Sequence, residues 1–175
     1  MANRSTTAYA ATILRPRMEV YEFWRNWSNL PRFSRHLKSV EDLGNGRTRW
    51  TTIGPTGDVS WEAETTRDIP GDSIAWRASQ EADVWNAGEV RFKDAPGDRG
   101  TEVTLRMAYD IPFGIVGEAV AKVTGTAPEA EIAESIRRFK AILECGEVPS
   151  VEGQPSNRMR DENVPGDASP KVGLR

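Results

Sequence analysis

The sequence predicts an α+β fold: a seven-stranded curved antiparallel sheet wrapped around one long C-terminal helix, with two short helices after the first strand. Three observations carry that reading. Stretches of period-2 alternation follow one another from Val40 to Tyr109, punctuated by Gly- and Pro-rich turns, the pattern of an antiparallel sheet with one buried and one wet face. The connections are short enough for hairpins, which makes the sheet a meander. After it, Ile132, Ile136, Phe139 and Leu143 form a single stripe at helical spacing.

The elements follow in order. Tyr9 to Leu14 reads as the first strand. Pro16 suits the first turn of a helix, where its missing N–H costs nothing, and Val20, Phe23, Trp24 and Trp27 share one face at i, i+3, i+4, i+7. A second short helix is capped by Ser28 or Asn29, with Pro31 in its first turn and Phe33 and Leu37 facing inward. Val40 to Leu43 runs to the Gly44-Asn45-Gly46 turn, and Arg49 to Ile53 to Gly54-Pro55-Thr56-Gly57. From Asp58 to Ile69, Val59, Trp61, Ala63 and Thr65 point one way while Ser60, Glu62 and Glu64 point the other. Past the Pro70-Gly71-Asp72 turn, which Asp68 and Asp72 are expected to serve, Ile74, Trp76 and Ala78 alternate with Ala75, Arg77 and Ser79. Val84, Asn86, Gly88, Val90 and Phe92 then oppose Trp85, Ala87, Glu89, Arg91 and Lys93. In the last strand, opened by Arg99-Gly100-Thr101, Val103, Leu105, Met107 and Tyr109 oppose Thr104, Arg106 and Ala108.

The long helix starts at Thr126-Ala127-Pro128-Glu129, which matches a capping box. Glu129, Glu131 and Glu134 come early in it and Arg137, Arg138 and Lys140 late, as the helix dipole favours; the three basic residues read as a solvated face. Gly146 follows as the C-cap. Before the helix, Phe113 to Gly125 carries glycines at 114, 117 and 125 and reads as a short helical turn or a bent joining segment. Residues 1–6 read as a flexible N-terminus and 7–146 as the domain. Residues 147–175 contain no aromatic residue and four prolines, so they read as a mostly disordered tail that cannot bury enough surface to order itself.

At 175 residues the chain makes one domain, and a domain of this size buries roughly 70% of its unfolded surface without needing a disulfide or metal. A net charge of -3 and a pI near 5.4 argue against nucleic acid, whose binders carry a basic face. Cys145 is the single cysteine and His36 the single histidine, so neither an intrachain disulfide nor a Cys/His metal cluster can form. No cofactor is implied. No apolar run reaches the length of a membrane span, and nothing at the N-terminus has signal-peptide quality. A cytoplasmic protein is expected, with transient membrane contact open and the oligomeric state unwritten.

Particular segments sharpen the fold. VYEFWRNWSNLPRF at 20–33, VSWEAETTRDIPGDSIAW at 59–76, NAGEVRF at 86–92, RGTEV at 99–103 and RRFK at 137–140 resemble bacterial "cyclase/dehydrase" proteins. That group is similar to the coenzyme Q-binding START-domain family within the START-like, or SRPBCC, superfamily. The resemblance covers residues 7 to 154 and extends to GQPS at 153–156. It implies the helix-grip fold and a small hydrophobic ligand such as a lipid, an isoprenoid quinone or an aromatic polyketide. Some bacterial relatives carry an extra hydrophobic region before this domain, and none is seen here. Fold alone does not choose among binding, transport and catalysis.

A helix across a curved sheet can enclose a mostly apolar cavity. The inward set would be Trp50, Trp61, Trp76, Asn86, Val90, Phe92, Leu105, Met107 and Tyr109, with Ile136 and Phe139 from the helix. The tryptophans could stack on a flat ring or fill the space themselves, and each indole N–H needs a partner when buried. Asn86 could contact a ligand oxygen, or bond neighbouring backbone across a bulge at Gly88. His36 is expected at the end of the second short helix, where a positive charge is favoured.

No nucleophile elbow, phosphate loop, zinc spacing or calcium loop occurs. The first functional expectation is a binding or carrier module for a hydrophobic molecule, with Pro112 to Gly125 as its portal. The alternative is a polyketide cyclase, aromatase or dehydratase using Asn86 and Tyr109, with Asp83 near the strand entrance. A third is a pocketless domain acting through protein contacts.

Overall fold

A computed structural model describes residues 4–54, 57–82, 84–110 and 128–148. The chain runs β1 (Arg4–Ile13), α1 (Arg17–Arg25), a 3-10 turn (Trp27–Asn29), α2 (Leu30–Phe33), β2 (Leu37–Gly44), β3 (Arg47–Gly54), β4 (Gly57–Ile69), β5 (Ser73–Ala78), β6 (Asn86–Asp94), β7 (Thr101–Asp110) and α3 (Pro128–Cys145). All seven strands form one antiparallel sheet in the order β1-β7-β6-β5-β4-β3-β2. The expected meander is therefore present, with β7 coming back to pair with β1, and β1 and β2 form the two edges of the open sheet. The cap at Thr126, the portal segment, Asp83 and the tail beyond residue 148 lie outside the described residues.

Alternation sets the sheet's two faces. On β3 to β7, Trp50, Trp61, Ala63, Ile74, Trp76, Ala78, Val90, Phe92, Val103 and Leu105 are buried on one side. On the other, Glu62 pairs with Arg49 at 3.0 Å and Glu64 with Arg77 at 2.7 Å, and Glu89 joins Arg67 and Arg91. These surface ion pairs, cross-strand except for Glu89 with Arg91 on β6, contribute modestly. The β2–β3 turn has φ of 53° at Asn45 and 74° at Gly46, the two positive values that a type I′ hairpin turn demands.

Helix α3 lies on the apolar face with Ile136 and Phe139 wholly buried. Its C-terminal turn is tied to the end of β1. Arg15 donates to the carbonyls of Leu143 at 2.7 Å and Glu144 at 3.3 Å, and Leu14 N–H donates to Glu144 Oε1 at 2.7 Å. The two from Arg15 satisfy carbonyls that the helix end leaves unpaired. Burial opposes the charge on Glu144, yet the bonds from Lys140 and Leu14 outweigh it and hold the carboxyl below its ordinary range. Gly146 N–H bonds Ile142 O at 2.8 Å, as the expected cap should.

Several expectations need correction. Strand β1 begins at Arg4 rather than Tyr9, because pairing with β7 orders residues that have no apolar alternation. Asp68 does not serve its turn: it accepts from Tyr21 Oη at 2.5 Å and pairs with Arg25, joining β4 to α1. Lys140 and Arg138 are not simply solvated. Lys140 Nζ donates to Thr12 O at 2.5 Å, and the Arg138 side chain is only 14% exposed beside Glu134. Helix α2 ends at Phe33, so His36 sits in the turn entering β2. There burial lowers the imidazole's pKa, partly offset by Glu131, so the neutral form is favoured rather than a cap-stabilised cation.

Candidate ligand site

Three inward tryptophans form a row. Trp50 and Trp61 face each other in the β3–β4 register, and Trp50 stacks between its neighbours, 6.2 Å from Trp61 and 5.8 Å from Trp76, at 25° to each. Small residues make that possible. Ala63 and Ala78 are opposite one another between the Trp61 and Trp76 positions, leaving a floor on which an indole can lie. Trp76 faces Gly88 across β5–β6, and that rung has no room for a Cβ. From above, Trp27 closes the row, 5.9 Å from Trp50 and 6.0 Å from Trp76. Sequence reasoning placed Trp27 on a buried helical face but missed its place in this cluster. Nothing in a linear pattern shows that the 3-10 turn points it at β3 and β5.

The polar atoms of the row divide sharply. Trp50 Nε1 donates to Thr48 Oγ1 at 2.8 Å, and Trp76 Nε1 donates to Asn86 Oδ1 at 3.3 Å. Asn86 also donates to Val84 O at 3.4 Å. Register through Gly88 is continuous on both sides, so there is no bulge there. The glycine is required by Trp76 instead, and Asn86 is the partner of that indole. Trp61 Nε1 differs: it is buried with no partner, a costly state for an amide-like donor. Thr65 Oγ1, at the Trp76 rung, is also unpartnered, as is Trp24 Nε1.

A second aromatic cluster holds the helices together. Trp24, Phe33 and Phe139 meet at 5.1, 4.9 and 5.0 Å, and Tyr21 contacts Phe92 edge-on at 5.8 Å. Of the inward set, Phe92, Phe139, Val90, Ile136 and Leu105 are thus enclosed by protein. Met107 and Tyr109 are only half-buried, as are Val59 on β4, Ile132 on α3 and Val84, which lies in the bend before β6 rather than in the strand expected to start there. Asn86 and Tyr109 are register partners on β6 and β7. The register thus sets Asn86 beside Tyr109 and, one inward position along, Met107 across Gly88 from Trp76, while Trp50 and Trp76 lie within the packed row.

Elsewhere, a groove of about 380 Å³ opens between α1, the 3-10 turn and β2, lined by Glu22, Arg25, Asn26, Trp27, Ser28, Val40 and Asp42. No residue of α3 lines it. Among the described residues, no three His, Cys, Asp or Glu side chains gather as metal ligands, and no helix is long and apolar enough to cross a membrane.

A curved antiparallel sheet gripping one long helix over an aromatic inner face defines the START-like helix-grip class. The chain belongs to the polyketide cyclase / dehydrase and lipid transport family, whose model matches residues 13–140. It is similar to the solved structure of DR_A0006 from Deinococcus radiodurans, with 40% identity and a TM-score of 0.66 over 81% of this chain and 99% of that one. A START superfamily protein from Mycobacterium smegmatis shares the fold at 11% identity and a TM-score of 0.59, over 79% and 98% of the two chains. So does the di-domain ARO/CYC StfQ of the steffimycin biosynthetic pathway, at 15% identity and a TM-score of 0.58, where 80% of this chain covers 50% of that one.

Proposed function

We propose that the domain binds a small hydrophobic molecule between its sheet and α3, at the end of the grip marked by Trp61, Asn86, Met107 and Tyr109. One observation carries this reading. Around the aromatic row, Met107 (across Gly88 from Trp76), Tyr109 (opposite Asn86) and Val59 (next inward residue to Trp61 on β4), with Val84 and Ile132, are only half-buried, and Val84, Met107 and Ile132 pack against the core. Val90, Phe92, Leu105, Ile136 and Phe139, with Trp50 and Trp76, then form the rigid wall behind the ligand. Lipids and aromatic polyketides are the ligand classes that the family membership favours, and an isoprenoid quinone is a further candidate of the same apolar character. The exposed lone thiol of Cys145 suits a reducing cytoplasm, where we place the protein.

Titration with a naphthalene dye that brightens in apolar surroundings tests the reading. Saturable one-to-one binding, displaced by a fatty acid or an isoprenoid quinone and abolished by filling the site with Met107→Trp, is the expected result. Dye binding that no apolar competitor displaces would count against it.

A second reading is catalysis of the cyclase or dehydratase kind. Its support is the rung that pairs Asn86 with Tyr109 on the inward face, an amide and a phenol side by side. Asn86 is already engaged by Trp76 and Val84, which suits a structural amide better than a reacting one. Binding therefore ranks first.

A further inference from the structure

We propose that the Trp61 indole N–H is the ligand-facing hydrogen-bond donor of this site, so that the protein selects apolar molecules carrying an acceptor oxygen over equally shaped ones that lack it. This rests on the reading that a hydrophobic molecule binds at the Trp61 end of the grip.

Four indoles offer a contrast within one core. Trp50 Nε1 is answered by Thr48 and Trp76 Nε1 by Asn86. Trp24 Nε1 has no partner, but its ring is packed against Phe33 and Phe139 in the cluster between the helices. Trp61 is 7% exposed, its Nε1 is buried without a partner, and it is the last ring of the row. One side of it is covered by Trp50. Its β3 neighbour at the next rung towards the open end, Thr52, turns its hydroxyl to His36 O rather than to the indole. Burying a donor unanswered costs more than a made bond returns. A phenylalanine would fill a similar place in the row without that cost. The retained N–H has a use if an incoming molecule supplies the acceptor, because a site built to hydrogen-bond discriminates strongly against analogues that cannot. Apolar burial supplies affinity there, and the single donor fixes orientation.

The test uses the full chain and two probes of nearly equal shape, 2-acetylnaphthalene and 2-isopropylnaphthalene. Calorimetric titration should show the ketone binding about fivefold tighter, the worth of one net hydrogen bond, despite its lower hydrophobicity. In Trp61→Phe the two should bind within about twofold of each other. A 15N spectrum of the wild-type indole N–H groups adds a readout that needs no variant to fold: the Trp61 signal should move downfield with the ketone and not with the hydrocarbon. If both probes bind equally and the Trp61 signal stays put, the donor role is overturned and the hydrophobic site stands. If neither binds, the site itself is overturned, and the inference with it.

Discussion

Trp76 stands directly against Gly88: a Cβ on that glycine would lie 2.2 Å from Trp76 Cζ2 and 2.6 Å from Cε2. The two are cross-strand partners on β5 and β6, so neither can retreat without leaving the sheet. This contact places Trp76, Trp76 places Trp50, and Trp50 backs Trp61. The position of the proposed site follows from where the row ends.

Gly88→Ala should therefore destabilise the domain by about 1–3 kcal/mol, the usual cost of overpacking. Urea melts would show a lowered midpoint. Shortening the opposing ring in the double variant Gly88→Ala, Trp76→Leu should restore part of the loss relative to Trp76→Leu alone. Additive effects would mean that the indole does not rest on the glycine.

His36 makes stability depend on pH in a stated direction. Its Nδ1 is buried without a partner, and burial, partly offset by Glu131, lowers its pKa in the folded state. The unfolded chain then takes up the proton first, so stability is full at pH 8 and falls as pH drops below about 6.5, the ordinary imidazole value. In His36→Gln the fall between pH 7 and 5.5 should flatten. An unchanged slope would assign the effect to other groups.

Tyr21 predicts the opposite limb. Burial first, then the hydrogen bond and charge of Asp68, push its phenol up to about 12. The folded state keeps this proton longer than the unfolded chain does, so its contribution is present below pH 10 and lost as pH climbs from about 10 towards 12. Tyr21→Phe should cost about 1.5 kcal/mol at neutral pH, the low end for a bond to a charged group, because Asp68 keeps Arg25. It should also remove the alkaline slope, which equilibrium denaturation at pH 8, 10 and 11 would reveal.

Much of the fold was legible because its faces alternate. The inward apolar residues Trp61, Ala63, Ile74, Trp76, Ala78, Val90, Phe92, Val103 and Leu105 were readable from period 2, and Ile136 and Phe139 from the helical stripe, whereas buried Ser73 beside Ile74 breaks the alternation. What escaped was set by contacts between distant segments. Arg4 to Ala8 carries no apolar alternation, and only β7 makes it a strand. Asp68 looked like turn chemistry because Tyr21 and Arg25 are more than 40 positions away. Gly88 has two meanings in sequence, a bulge or a close approach, and only the ring opposite decides. The tryptophans left the same ambiguity: they do fill the row between Ala63 and Gly88, and the half-buried surface lies beyond it. Trp27 joins them through a 3-10 turn whose direction no periodicity records.

The central claim is that this domain holds a hydrophobic molecule, and native mass spectrometry of the full chain, purified from a lipid-rich host and followed by extraction, tests it most directly. The account predicts a stoichiometric adduct that yields an apolar, acceptor-bearing compound and disappears in Met107→Trp. A bare chain mass that persists after incubation with fatty acids, isoprenoid quinones and aromatic polyketides would contradict it.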